Sequence, residues 1–523
     1  MPLLKQEYHR ACYLGGLCLL AASIPLSRYL MSIAQWVLLI NFLLEGDLWG
    51  KFRRFTGNRA ALLFSSIYLL HLTGLFFTTD FDYAMKDLRT KIPLALLPLV
   101  ISGSAGLTGK WFTRILWCFV AAVLAGTLTG FYIWLSQPVS DTRDLSPFIS
   151  HIRFSLSLCM AIVILIWLLF VNSDGKRQWQ QLAGWSLLLC FLVYLYVSAY
   201  FTAYYILSGL FLVWLVVQTA RVRKTWLKFA FIMCLLLLPV LTFLYLRGEY
   251  RGFFHSPMPA EESFEWFTPN GKPYLHDTAR KEVISGNRLF YYYCKEELAA
   301  GWEKRSNIPF DSAGRTGLKI SDVLVRYLTS KGLRKDSAGM AALDQQEIRL
   351  IENGTADVEE TRGSPVHKRL RKIFWEYQNY MISGDPSGHS VMMRLEYWKA
   401  SLAIFSENLW TGVGTGDMNL VFDQYYEQVN SRLKPEWRRR SHNQFLSVAV
   451  GFGIAGLIWF LAALFLPAIW RGGFRDYLFT AFFVVMMLSF LPEDTIESQD
   501  GVTFTAFFYS LFLFGRLRKS AYI

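Results

Sequence analysis

Twelve apolar runs recur along this chain, near residues 11–26, 29–45, 60–78, 92–104, 115–134, 154–171, 182–198, 201–218, 226–246, 444–469, 477–491 and 502–515. A helix rises about 1.5 Å per residue, so roughly 20 apolar residues cross the hydrocarbon layer of a bilayer. The pattern predicts about twelve transmembrane helices, with the runs at 92–104, 477–491 and 502–515 the shortest. Nine runs precede residue 247 and three follow residue 441. Between them, residues 247–441 mix polar and apolar positions and predict a folded, mainly helical segment outside the bilayer. The chain thus reads as an all-α polytopic membrane protein. Residues 1–246 carry spans 1–9, 247–441 form a large outer segment, and 442–523 carry spans 10–12.

Inside the outer segment the pattern changes. Residues 250–316 are rich in Gly, Pro and aromatics and predict irregular or partly extended chain. Helical periodicity returns at 320–330, 342–352 and 367–382, with stops at Lys331-Gly332 and Asn353-Gly354. Asn353-Gly354-Thr355 has the form of a glycosylation sequon and reads as a turn. The stretch VMMRLEYWKASLAIFSEN, about 391–408, puts apolar residues at helical spacing with Arg394, Glu396 and Lys399 among them. It predicts an amphipathic helix at the membrane surface. Gly412-x-Gly414-x-Gly416 follows no strand, so it reads as a tight turn and not as a nucleotide loop. A further helix is expected at 419–429, and the basic stretch 434–440 leads to His442.

Charge gives the orientation. Lys51, Arg53, Arg54 and Arg59 share one loop. Lys176 with Arg177, then Arg221, Arg223 and Lys224, then Arg471 and Arg475, then Arg516, Arg518 and Lys519 fall on the same side when spans are counted. Cytoplasmic loops collect Lys and Arg, so this side and both termini are expected to be cytoplasmic. The opposite loops carry Asp80, Asp82, Asp141, Asp144, Glu493, Asp494, Glu497 and Asp500. The basic start followed by an apolar run reads as a retained first helix, because further spans follow directly.

Composition narrows the class. The chain is 53% hydrophobic and 16% aromatic, with a mean hydropathy of +0.28. The net charge is +13, yet residues 247–441 hold 28 Lys and Arg against 26 Asp and Glu. The excess of basic residues therefore sits in the membrane loops and marks topology, and no nucleic acid partner is expected. Six of the seven cysteines, Cys12, Cys18, Cys118, Cys159, Cys190 and Cys234, fall in predicted spans. Cys294 alone lies in the outer segment, so no disulfide framework is available there. No metal-ligand spacing appears, and no metal or cofactor is expected.

Three residues at the outer rim could carry chemistry. Arg153 opens the sixth span, Arg394 lies on the amphipathic helix, and His442 opens the tenth span. An arginine's planar fork donates parallel hydrogen bonds to phosphate oxygens and stays charged. A histidine can accept a proton from a hydroxyl near neutral pH. Together they suit a reaction in which arginines hold a diphosphate and the histidine activates an acceptor. Singly, each also fits a plainer role: arginines at helix ends snorkel to headgroups. Gly453 and Gly456 fit close helix packing.

The sequence His442-Asn443, nine residues, Gly453, two residues, Gly456 resembles the motif of the O-antigen ligase and polymerase family of bacterial membrane glycosyltransferases. Arg394-Leu-Glu-Tyr-Trp398, followed by Gly412-Val-Gly414, resembles that family's Arg–Trp helix and glycine turn. Arg153-Phe-Ser-Leu resembles its other arginine. The resemblance spans roughly 140–470. Ser198–Tyr204 lacks the arginine that the family often has, and the 250–380 insert has no counterpart in the motif. The resemblance implies a GT-C-like, metal-independent fold in the inner membrane with a periplasmic active site. It also implies transfer of a glycan from undecaprenyl diphosphate to a hydroxyl of lipid A-core, of a growing glycan, or of a protein. His442, Arg394 and Arg153 are then the expected catalytic residues. Arg153, Arg394, Asn443 and Glu396 are the expected substrate-binding set, with Asn443 or Glu396 orienting His442. A lipid-linked glycan flippase is the alternative outside the enzyme class. The lack of repeated halves and the few acidic residues inside the spans speak against it.

Overall fold

The structure is a computed structural model that describes residues 5–136, 142–171, 178–254, 265–280, 282–315, 318–361 and 363–516. Asp141, Lys176, Arg177, Arg518 and Lys519 of the charge pattern lie outside these residues. Each apolar run folds as a helix, and further helices lie between the runs. In chain order these are α1 (Gln6–Ser23), α2 (Arg28–Leu44), α3 (Leu48–Gly57), α4 (Arg59–Thr73), α5 (Phe81–Lys91), α6 (Pro93–Gly103), α7 (Gly109–Ser136), α8 (His151–Ile166), α9 (Gln178–Ser198) and α10 (Phe201–Arg221). Next come α11 (Thr225–Phe254), α12 (Lys295–Glu303), α13 (Ile320–Ser330), α14 (Ser337–Ala341), α15 (Gln345–Glu352) and α16 (Pro365–Ser383). The last five are α17 (Ser390–Glu407), α18 (Met418–Gln428), α19 (Gln444–Trp470), α20 (Tyr477–Ser489) and α21 (Gln499–Leu513).

Among the described residues, 7 helices are long and apolar enough to cross a membrane by length and composition. The pair α2 and α3, bent by 114°, brings the number to 8 if it counts as one span. This fits a polytopic membrane protein. The three short runs form short helices: α6 has 11 residues, α20 has 13 and α21 has 15. Their apolar character has a second cause. Every residue of α21 from Asp500 to Leu513 is buried by protein, and a helix that is apolar all round is expected where it is surrounded. Phe64 on α4 stacks on Tyr509 of α21 with ring centroids 3.9 Å apart.

The chain divides into two compact units. The first joins Met1–Trp214 to Arg394–Ile523. Within it α1 packs on α2 and α7, α4 packs on α19 and α6, and α21 packs on α6 and α20. The second unit is Leu215–Met393. Its core gathers Leu298, Trp302, Ile320, Leu324, Leu328, Ile348 and Ile351 from α12, α13 and α15. The helices expected at 320–330, 342–352 and 367–382 appear as α13, α15 and α16. Asn353 and Gly354 end α15 as a turn, with Gly354 at φ 82. The region expected to be irregular contains α12 and one hairpin, β1 (Val283–Ile284) paired antiparallel with β2 (Asn287–Arg288). Its turn residues Ser285 and Gly286 both hold positive φ, the twist that short hairpins favour.

Candidate functional site

The site is built at the start of α19, inside the first unit. Asn443 is its N-cap: its side chain accepts from Leu446 N at 3.0 Å and its amide donates to Leu491 O at 2.9 Å. Ser441 is buried, shares a hydrogen bond with Ser447 Oγ and donates to Asn443 O. His442 sits between these two fixed residues with φ 43. That left-handed backbone costs a non-glycine residue about 1 kcal/mol or more and persists only where neighbours enforce it.

Two carboxylates meet the imidazole. His442 Nδ1 lies 3.4 Å from Glu493 Oε2 and 3.8 Å from Asp494 Oδ1. The ring stacks on Tyr397, with centroids 5.5 Å apart and planes at 29°. Tyr397 in turn donates to Trp437 O at 2.6 Å. About a third of the His442 side chain stays exposed, so the ring is fixed on one edge and open on the other.

Arg394 enters through the same carboxylate. Its Nη2 donates to Glu493 Oε1 at 2.7 Å and its Nε to Pro492 O at 3.1 Å. Glu493 therefore bridges Arg394 and His442, one oxygen to each. The charge of Arg153 also bears on the Glu493 carboxylate. Arg153 is 9% exposed, and its Nη1 is buried without a hydrogen bond to any described residue. A buried guanidinium with an unused donor is chemically suited to an anion.

The two acids differ. Burial pushes Glu493 up, but the His442 hydrogen bond and the charges of His442, Arg153 and Arg394 hold it down, at about 2. Burial pushes Asp494 up, more than His442 and Arg440 lower it. The two neighbouring carboxyls are thus driven in opposite directions by their surroundings. The donor atoms of His442, Glu493 and Asp494 lie within 4.8 Å of one another, a set that could hold a cation. Glu493 Oε1 is already engaged by Arg394, which supplies positive charge from the protein itself.

Residues 363–461 match the family model described as O-Antigen ligase. The chain carries an O-antigen ligase family domain. No curated protein matches the chain.

Within this O-antigen ligase domain the expected site residues do not all play the same part. His442 and Arg394 converge on Glu493, and the charge of Arg153, outside the matched stretch, bears on the same carboxylate. Asn443 shapes the turn as a cap. Glu396 pairs with Lys399 on its own helix at 2.7 Å; the carboxylates on His442 Nδ1 are Glu493 and Asp494. Those two acids carried no site signal in the sequence, where they marked an outer loop. The turn 409–417 also has a partner. Gly453 interrupts α19 with φ 64 and ψ −167, and the turn fills the break. Val413 N donates to Val450 O, Gly414 N to Gly451 O and Ile454 N to Leu409 O, at 2.8–3.0 Å. A Cβ on Gly453 would stand 2.3 Å from Trp410 O, and one on Gly412 2.3 Å from Gly451 C. Packing was expected of Gly453; the structure adds a helix break filled by another segment's backbone.

Proposed function

We propose that this chain is a membrane glycosyltransferase of the O-antigen ligase type. It moves a glycan from undecaprenyl diphosphate to an acceptor hydroxyl, that of lipid A-core, at the periplasmic face of the bacterial inner membrane. The observation that best supports this reading is Glu493 joining Arg394 to His442, with Arg153 bearing on the same carboxylate. His442 Nδ1 faces the acids, so Nε2 is the nitrogen left to take the acceptor's proton. The acceptor oxygen forms the new bond at the anomeric carbon as the bond to the diphosphate breaks, inverting that carbon. Arg153 and Arg394 hold the diphosphate and take up its charge as it leaves. Glu493, held ionised, orients the imidazole and stabilises its cationic form, as a carboxylate does in hydrolase triads.

In this reading the fold is GT-C-like, with about twelve transmembrane helices and both termini in the cytoplasm. Residues 1–246 and 442–523 make the membrane domain, and 247–441 the periplasmic segment. No metal takes part, because two arginines supply the charge a cation would.

The test is transfer by the purified full-length chain from undecaprenyl diphosphate glycan to lipid A-core, a free glycan or a protein. Transfer to lipid A-core with inversion is expected, unchanged by EDTA. His442→Ala and Arg394→Ala are each expected to lower it about 100-fold or more. Glycan extension alone would make the chain a polymerase, and transfer to protein alone an oligosaccharyltransferase. Normal transfer by folded His442→Ala would remove the base from the mechanism, and loss in EDTA would put a cation at His442, Glu493 and Asp494.

A further inference from the structure

Glu497 lies four residues beyond Glu493 and is nearly enclosed, its side chain 9% exposed. Its Oε2 accepts from Lys91 Nζ at 2.7 Å and lies 3.6 Å from Arg440 Nη1. Its Oε1 accepts from Gln444 Nε2 at 3.2 Å. Arg440 and Gln444 stand two residues to either side of His442, so one carboxylate spans the turn that holds His442 at φ 43.

Gln444 extends the same tie to the acids. Its N donates to Phe490 O at 2.9 Å, and its Oε1 accepts from Ile496 N at 2.8 Å. Both ends of the segment carrying Glu493 and Asp494 are thereby fastened to the first residue of α19. Lys91 anchors this arrangement from the last turn of α5. Its side chain is fully buried and pairs with Asp87 as well as Glu497. Asp87 is also 3.4 Å from His71, and Arg440 lies over the Tyr83 ring. A carboxylate buried this deeply stays ionised only while a cation faces it, and removing one partner leaves an uncompensated charge.

We infer that Lys91 is a positioning residue for His442: through Glu497 it fixes Arg440 and Gln444, and with them the His442 turn and the Glu493–Asp494 segment. With its side chain enclosed, Lys91 touches neither donor nor acceptor. Its effect on catalysis rests on the reading of His442 as the base, while its effect on His442 itself does not.

The experiment compares purified full-length Lys91→Met, Lys91→Arg and Glu497→Gln with the wild type. Modification of each histidine by diethyl pyrocarbonate, located by peptide mass spectrometry, reports the local state of His442. In Lys91→Met the His442 rate is expected to change severalfold while His151 and His276 react as in the wild type, and Lys91→Arg should restore it. Transfer is expected to fall about tenfold in kcat at an unchanged KM for the lipid-linked donor. If Lys91→Met does not fold, Glu497→Gln carries the test, because it keeps the shape and removes only the charge. Unchanged His442 reactivity in a folded variant overturns the inference. So does a parallel change at all the histidines, which would make the pair a general stabiliser. A shift at His442 in a chain whose wild type transfers nothing would leave the positioning intact and sink the glycosyltransferase reading.

Discussion

Glu493 gives one oxygen to His442 and the other to Arg394, so its charge should matter more than its shape. Glu493→Gln keeps the shape. Its kcat is expected to fall about 100-fold or more, since neutralising the carboxylate that orients a catalytic imidazole costs up to about 10⁴-fold in hydrolase triads. The same substitution has a stability signature. The folded carboxyl is held at about 2, against 4.5 ordinarily. A depressed folded value stabilises above the ordinary one and loses that effect as pH falls toward the depressed one. The contribution at neutral pH is about 3 kcal/mol. Denaturant unfolding in detergent should show Glu493→Gln less stable than the wild type at neutral pH, with the gap closing between about pH 4.5 and pH 2. A gap independent of pH would refute the electrostatic account. Asp494 is displaced upward and works in the opposite sense, its contribution fading as pH rises. His442 and Arg394 were legible because each sits in a local pattern whose spacing carries meaning. Glu493 was not: it meets His442 across 51 positions, and an acid in an outer loop has the look of a topology marker.

At the scale of elements, α19 does its work by being broken. The turn 409–417 donates to the backbone carbonyls of Val450 and Gly451 and accepts from Ile454 N at the break, and the Thr415 hydroxyl donates to His71 O at 2.6 Å. Asp417 then accepts from Thr79 N and Asp80 N at 2.8–3.0 Å, tying the start of α5 to the same turn. Three elements far apart in sequence are thus pinned at the break in α19, on the helix that His442 precedes. Gly453 occupies a φ/ψ region open essentially to glycine alone, and entry of another residue costs about 1–3 kcal/mol before any clash. Gly453→Ala is therefore expected to lower the thermal midpoint and the folded yield, with a loss of roughly 2 kcal/mol or more. Gly451→Ala is the control. The nearest atom to its added Cβ is Met418 Sδ at 3.5 Å, so it should be neutral or slightly stabilising, as Gly→Ala in a helix generally is. Equal thermal midpoints for the two variants would mean that the break is not required. The glycines were legible as small residues at helical spacing. That pattern cannot distinguish close packing from a break, because the deciding partner is the backbone of another segment.

For the whole molecule, the apolar pattern foretold the helices, and helical periodicity foretold α13 and α16 close to their observed bounds, while α11 runs eight residues beyond the apolar run at 226–246. The short runs gave the short helices α6, α20 and α21, since a short helix walled in by protein is as apolar as one facing lipid. Charge is the remaining guide to orientation. Outside residues 247–441 the chain holds 25 Lys and Arg against 14 Asp and Glu. These basic residues cluster on the side assigned to the cytoplasm, while the acids of the site fall on the other. The orientation decides whether His442 meets lipid-linked glycan outside the cytoplasm or nucleotide-linked sugar within it, so it is worth testing directly. Lys304 in the second unit and Arg53 in α3 are both exposed. The exposed native thiols are Cys12 and Cys234, and serine at both removes their background. In that chain, Lys304→Cys should react with a membrane-impermeant maleimide in cells whose inner membrane is intact. Arg53→Cys should react only after that membrane is disrupted. The reverse pattern would place His442, Glu493 and Arg394 on the cytoplasmic side, where no undecaprenyl-linked glycan awaits transfer to lipid A-core at the periplasmic face, and the proposed reaction would fall with it.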